Sequence, residues 1–475
     1  MKFSFINPSP IEELSDRIAG VASWPPLGLL YMATILRDKG MDVSILDQPA
    51  KGYTIEDTVR WVKKENPDFL GFSGYSMSGR TAALTSMELR KDLPDLPMVM
   101  GSLYATFNAE RVLRKYPSVD IVARGEGEET VVDLVDTLTK GDSLKEVQGI
   151  TFRQGDTIVS TPDRPLLEDL DALPFPDRSL LDEEYHSEIG GANIAPKKFT
   201  SVVSSRGCVH GCRFCSCSAF CRGRWRARSV DNTLEELHYL ASEGYKQFIF
   251  VDDCFTLDQK RATEICRRMR EEKLDFEWIC EGRVDSYSYE MLREIARAGC
   301  KIIYFGIESA NQRILDYYEK TITPEQSVKA VETARKAGID LVMGTFIVGA
   351  PDETREEIQN TLDFAKKLEI DLPQFNALGI HPGMDIWDEM KAKGYVDEEK
   401  YWETGVGVSR ICPTAVPFPE IVEMIKDAVY GFALRPGFIL GQIGRTLKSP
   451  YRFNVVLNNL GRLGKIRKTL QNPMG

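Results

Sequence analysis

Between Ser204 and Cys221 the chain reads Ser-Ser-Arg-Gly-Cys-Val-His-Gly-Cys-Arg-Phe-Cys-Ser-Cys-Ser-Ala-Phe-Cys, a run that holds five of its ten cysteines. Cys208, Cys212 and Cys215 stand in Cys-x-x-x-Cys-x-x-Cys spacing. Thiolates are soft ligands that suit iron–sulfur clusters, and a complete cluster normally takes four cysteines. Three thiolates on one tight loop hold three corners of a cube and leave the fourth iron open for chemistry. His210, Cys217 and Cys221 lie beside them, so the loop by itself is also compatible with a structural zinc site or with a four-cysteine cluster.

The other cysteines stand at 254, 266, 280, 300 and 412, and the first 207 residues contain none. That clustering is wrong for a disulfide framework and fits a reducing compartment with a metal or cluster site. A hydrophobic content of 43% and a charged content of 28% describe an ordinary globular protein, and a net charge of −11 argues against a general nucleic-acid binder. The apolar run at the start of the chain is too short for a signal-peptide core and is broken by Pro8. No stretch approaches about 18 uninterrupted apolar residues, so the expected location is cytoplasmic.

Such a loop needs a scaffold, and the 475 residues suggest roughly three domains. Over residues 1–148 strand-like and helix-like patterns alternate five times, which predicts an open parallel, doubly wound α/β sheet of Rossmann type. Residues 149–196 read as a hairpin followed by a linker with the proline-punctuated stretch Leu170 to Arg178, which contains Leu173-Pro174-Phe175-Pro176. Residues 197–395 contain six further strand–helix alternations, starting with the strand before the cysteine run. Residues 396–475 read as a mainly helical, basic tail.

Ligands of parallel sheets lie at the carboxyl ends of the strands, where small residues let backbone approach. In the first domain these ends carry Gly71 and Ser73, Gly101 with Tyr104, and Gly125 with Glu126. Three small-residue loops on one edge point to a large flat ligand. In the second they carry the adjacent acids Asp252 and Asp253, which can accept hydrogen bonds from an ammonium or from ribose hydroxyls, then Arg283, Glu308 with Ser309, and Gly349. Arg283 is expected to follow the third strand and to pair with a ligand carboxylate or with a surface acid. Cys254, Cys266, Cys280 and Cys300 lie in regular elements and read as buried packing residues. Cys217 and Cys221 read either as passive thiols near the cluster or as groups that assist a substrate.

With Phe214 directly before the last cysteine, the loop closely resembles the signature of the radical S-adenosylmethionine (SAM) enzymes. The segments Gly306-Ile307-Glu308-Ser309 and Val348-Gly349-Ala350-Pro351 resemble that family's SAM-contacting strand ends, in the expected order. Residues 1–140 resemble the cobalamin-binding domain that precedes the radical core in a large subfamily, through Pro25-Pro26-Leu27-Gly28, Gly71 to Ser73, the glycine opening 101 to 106, and Gly125 to Glu128. The resemblance implies a partial (β/α)6 barrel of TIM type and a 4Fe–4S cluster held by Cys208, Cys212 and Cys215. It also implies SAM near Phe214, Asp252, Asp253, Arg283, Glu308, Ser309 and Gly349, and cobalamin against Gly71, Ser73, Gly101, Tyr104, Gly125 and Glu126. Residues 1–165 contain no histidine, so that domain supplies no imidazole to cobalt, and the lower face is open, water-bound or covered by a side chain such as Tyr104.

The implied activity is generation of a 5′-deoxyadenosyl radical that leads to methylation of an unactivated carbon in a hydrophobic or natural-product small molecule. A reducing partner such as flavodoxin or ferredoxin is implied as well. Oxidative cyclisation of a tetrapyrrole, as in anaerobic magnesium-protoporphyrin ester cyclases, is the alternative within enzymes, and a non-catalytic corrinoid or cluster sensor is the alternative outside them. After Asp427 the chain has no acidic residue, and it interleaves basic with apolar residues from Arg435 onward. That pattern suits either peripheral contact with anionic lipid, and so a lipid-like substrate, or a helical tail packed on its own barrel. The tail is expected to close the open side of the barrel over substrate, with Cys412 a candidate participant.

Overall fold

The computed structural model describes residues 1–10, 24–399, 401, 414–462 and 464, so Cys412 lies outside the described residues. The first sheet contains β1 (Lys2–Asn7), β2 (Asp42–Asp47), β3 (Phe69–Ser73), β4 (Met98–Gly101), β5 (Ile121–Ala123), β6 (Ile150–Gln154) and β7 (Thr157–Ser160). Its order is β2-β1-β3-β4-β5-β6-β7. The first five strands are parallel, and β6 and β7 add antiparallel at the edge. The hairpin assigned to the linker therefore completes the first sheet: β6 satisfies the open backbone edge of the three-residue β5, which would otherwise face water unpaired. The strand order reverses between β1 and β3, the place where sheets of this topology leave a crevice.

Helices cover both faces for reasons legible in their residues. Leu27–Asp38 buries Leu29, Leu30, Ala33 and Leu36 along one face, and Ile55–Glu65 opens with a reciprocal Thr54 and Asp57 capping box. A short hairpin, β8 (Glu188–Ile189) and β9 (Ala192–Asn193), leads to the second sheet. There β10 (Phe199–Val202) precedes the cysteine loop, which is pinched at its base by the antiparallel pair β11 (Ser205–Arg206) and β12 (Arg226–Ala227).

The sheet continues with β13 (Gln247–Phe250), β14 (Glu277–Arg283), β15 (Cys300–Glu308), β16 (Leu341–Val348) and β17 (Leu372–Ala377). All six strands are parallel and in sequence order, with β10 and β17 as the two edges of an incomplete (β/α)6 barrel. Trp278, Phe248, Phe250 and Phe255 fill the space between strands and outer helices, and Trp278 donates its indole N–H to the Ala298 carbonyl at 2.9 Å.

Residues 418–459 of the tail do not lie over the cysteine end. The helix Phe418–Ala433 packs in the outer layer, and Tyr451, on the helix Pro450–Asn459, enters among Phe199, Ile279 and Ile302. Those residues are near the starts of their strands, so the tail plugs the amino-terminal end of the barrel. The expectation of a cover over substrate falls in part on residues 402–413, which lie outside the described residues.

Candidate active site

Gly207 turns the chain into the cysteine loop at φ +87°, where an added Cβ would lie 2.1 Å from the Arg224 carbonyl oxygen, so only glycine fits. Its N–H donates to Asp253 at 2.8 Å. The Cys215 N–H donates to the Cys212 carbonyl at 2.9 Å, which tightens the turn. Phe214 packs edge-on against Tyr318 with centroids 4.9 Å apart, so it wedges the loop onto the barrel wall.

Cys221 takes up a supporting position that its sequence pattern left open. Its sulfur accepts the Cys208 N–H at 3.3 Å and lies 3.9 Å from the Cys217 sulfur. A hydrogen bond from Cys217 holds the thiols of Cys215 and Cys221 below their ordinary range and pushes Cys217 itself up. Burial pushes the Cys208 thiol up to about 11. Burial raises Cys212 as well, against the opposing cations Lys320 and Arg283.

Among the described residues no three His, Cys, Asp or Glu side chains converge on a single metal-ion position. A zinc site requires such convergence, whereas in a four-iron cluster each thiolate takes a different iron. The three spaced thiols and the two cations beside them fit an anionic thiolate cluster.

The strand-end residues of the barrel divide into two groups. Asp253 lines a large cavity. Asp252 does not: it is buried and accepts from the Ser204 N–H at 2.7 Å and from the hydroxyls of Ser204 and Ser205 at 2.6 Å. It clamps the root of the cysteine loop, which corrects its assignment to a ligand. Ser309 is likewise turned away, 3.1 Å from the Thr361 hydroxyl. Gly349, at φ +92°, gives its N–H to Glu353. Burial pushes that carboxyl up to about 7 despite the N–H groups of Ala350 and Gly349.

Arg283 belongs to β14 itself and does not follow it. Its guanidinium is bidentate to Asp285 at 2.9 Å, and one arm reaches 3.8 Å from the Cys212 sulfur. Asp285 thus occupies the carboxylate position expected for a ligand.

Glu308 sits at φ +63°, an uncommon conformation for a non-glycine residue, and its carboxylate is buried 2.7 Å from the Lys320 ammonium. Lys320 and Glu281 were missed in the sequence, since a lone Lys or Glu carries no motif. Glu281 faces the barrel lumen, where enclosure by protein, with Asp253 and Glu308 nearby, pushes its carboxyl up to about 7.

On the other sheet Gly71, Ser73, Gly101, Gly125 and Glu126 all border the same cavity of about 1410 Å³. Tyr104 does not: its ring packs over Gly79 in the core, so it is not available to cover a ligand face. Leu103 and Ser102 border the cavity in its place, Ser102 at φ +75°. His186, just beyond the histidine-free span, also borders it, with Nε2 3.0 Å from Glu188.

Glu126 is a bridge between the domains. It accepts from Arg226 at 2.8 and 3.0 Å, from Arg206 at 3.2 Å and from the Leu167 N–H at 2.8 Å, while Glu128 holds Arg206 at 2.6 Å. Burial acts to raise the Glu126 carboxyl, but Arg226 and Arg206 outweigh it and hold the group below its usual value. The two arginines face each other across the β11–β12 pair at the base of the cysteine loop. Gly207, Cys217, Phe220 and Cys221 complete the far wall, so the carboxyl ends of both sheets open into one chamber. Its glycine-lined edge and its size, beyond the usual 300–1,000 Å³ of ligand pockets, fit a bulky flat group such as a corrinoid.

Together these features define a radical SAM core joined to a corrinoid-type domain. Residues 202–365 match the Radical SAM superfamily, and residues 19–135 match the B12 binding domain. The chain is 36% identical to an uncharacterised methyltransferase of Pyrococcus horikoshii, over 93% of this chain and 95% of that protein. It is 29% identical to the anaerobic magnesium-protoporphyrin IX monomethyl ester cyclase of Cereibacter sphaeroides, over 84% of this chain and 66% of that one. The radical SAM methyltransferase TsrM of Kitasatospora setae, solved with cobalamin and an iron–sulfur cluster bound, shares the fold at a TM-score of 0.66 and 19% identity, covering 82% of this chain and 75% of that chain. The chain belongs to the B12-binding radical SAM family.

Proposed function

We propose that the protein is a cobalamin-dependent radical SAM enzyme that methylates an unactivated carbon of a hydrophobic small molecule. The observation that carries this reading is the shared chamber, with the glycine-lined edge of the first sheet facing Gly207, Cys217 and Asp253 of the second. Cys208, Cys212 and Cys215 would hold the cluster, and the loops at Gly71, Ser73, Gly101 and Gly125 the corrinoid. When bound, these groups supply the reducing electron and the methyl group that side chains cannot.

The chain's own part is positioning. Asp253 and Glu281 offer carboxylate oxygens to an ammonium or to ribose hydroxyls, and Arg283 and Lys320 place positive charge beside Cys212. Leu27, Met32, Leu84, Val99 and Val203 give the chamber an apolar wall that favours a hydrophobic substrate and excludes water. A cytoplasmic setting and a flavodoxin-type or ferredoxin-type electron donor accompany this reading.

Anaerobic reconstitution with iron, sulfide and hydroxocobalamin, then SAM and a reductant, tests it. Retained corrinoid and 5′-deoxyadenosine are the expected results. Absence of deoxyadenosine from a protein that holds both groups favours a sensor. The 29% identity to a cyclase supports a second reading. Product mass separates the two, since methylation adds a methyl group and cyclisation removes hydrogen.

A further inference from the structure

The last two described α-helices are inside out. Pro436–Thr446 and Pro450–Asn459 turn polar side chains inward, where Gln442 donates to Asp371 at 3.0 Å and Arg452 at 2.8 Å. Arg452 also donates to Gln442 at 2.7 Å, and Asn459 exchanges hydrogen bonds with the Asn193 backbone at 2.7 and 2.8 Å. These bonds fix the rotation of both helices, with Tyr451 anchored through its hydroxyl to the Ile194 carbonyl at 2.8 Å.

The outward faces are therefore apolar. On the first helix and its end, Ile439, Leu440, Ile443 and Leu447 are exposed, with Leu440 at 69% and Leu447 at 75%. On the second, Phe453, Val456, Leu457 and Leu460 are exposed at i, i+3, i+4 and i+7, the spacing of a single helical stripe. Scattered surface leucines need no explanation, but two consecutive stripes at this period do.

We propose that this face is a docking surface for an anionic lipid bilayer, on which the two helices lie in the plane of the headgroups. Charge selects the occupant. From residue 428 to the end the chain carries eight Lys or Arg and no Asp or Glu, although the whole chain is at −11. Arg445 and Arg452 pair with Asp371 and Arg462 with Glu188, so the charge offered to headgroups is that of Lys448, with Lys465, Arg467 and Lys468 following in the sequence. Lys448 stands exposed between the two stripes. A second copy docked through the same face would bring these cations against their own kind, whereas acidic headgroups attract them. No helix of the described residues is long and apolar enough to cross a membrane, so the contact is interfacial. The stripes lie on the tail that plugs the amino-terminal end of the barrel, opposite the cysteine loop.

Flotation of the full chain with vesicles tests this without reference to activity, so its failure leaves the proposed reaction standing. Wild type is expected to float with vesicles of phosphatidylglycerol and phosphatidylcholine, and raised salt weakens the binding. The double variant Leu440→Gln, Leu457→Gln is expected to lower partitioning by about tenfold or more, and Lys448→Glu to lower it by a smaller factor. Both side chains are exposed, and unchanged circular dichroism confirms the fold. The proposal is overturned by absence of flotation, by equal flotation with neutral vesicles, or by a double variant that floats like wild type. It is also overturned if light scattering finds a wild-type dimer that the double variant dissolves.

Discussion

Along the edge of the first sheet the chamber is shaped by missing atoms: Gly71, Gly101 and Gly125 carry no side chain, and Ser73 a short one. Along the edge of the second sheet the shaping is done by groups already held. Asp252 has three donors, Glu308 has Lys320 and Arg283 has Asp285. The first edge works as a mould, which is damaged by adding atoms. The second is a set of charges fixed before any ligand arrives, which is damaged by removing one. Preorganised charge of this kind costs no reorganisation when a reaction begins.

The largest effect should come from the cysteine loop, which belongs to the second type. Replacing Cys208, Cys212 or Cys215 by Ala is expected to abolish the cluster's visible absorbance and deoxyadenosine formation, and chelation of iron should do the same to the wild type. Next in size, Lys320→Met leaves the buried Glu308 charge unpaired and is expected to cost about 3–5 kcal/mol in urea unfolding. A compensating Glu308→Leu in the same chain should recover much of that loss.

The mould gives the opposite signature. A Cβ at Gly101 meets nothing closer than 3.8 Å, so Gly101→Leu is expected to change stability by about 1 kcal/mol or less while weakening retention of hydroxocobalamin roughly tenfold. If corrinoid retention is unchanged, the first edge is not a mould for that ligand.

The smallest effect concerns Glu281, whose carboxyl is raised from 4.5 to about 7. A raised carboxyl favours the folded state fully below about pH 4.5, and that contribution is lost as pH rises through 7. Glu281→Gln is therefore expected to stabilise the protein above pH 7 by about 1 kcal/mol, a figure kept small because the lumen admits water. The gain should vanish toward pH 4.5 in unfolding curves taken across that range.

The cysteine spacing, the alternating strands and helices and the small residues at strand ends were legible because each is a local pattern in the chain. Side-chain direction at a strand end was not. Asp252 and Asp253 are neighbours, yet one clamps Ser204 and Ser205 and the other faces the chamber, since successive residues at a strand end point opposite ways. Ser309 failed for the same reason, and Tyr104 because it lies in the short helix Ser102–Thr106, which buries its ring over Gly79. The β6–β7 hairpin was recognised as a hairpin but given to the linker, because the strand it would pair with is set by tertiary contact. Glu126 was singled out for a ligand, whereas the structure spends it on two arginines from a segment far along the chain.

That last arrangement bears on how the molecule comes apart. With one carboxylate shared by Arg206 and Arg226, and Glu128 reinforcing it, neither sheet can loosen without leaving largely buried charged partners of the other unpaired. Two units that look separable by sequence are thereby coupled in denaturation, and calorimetry should record one cooperative transition in place of two.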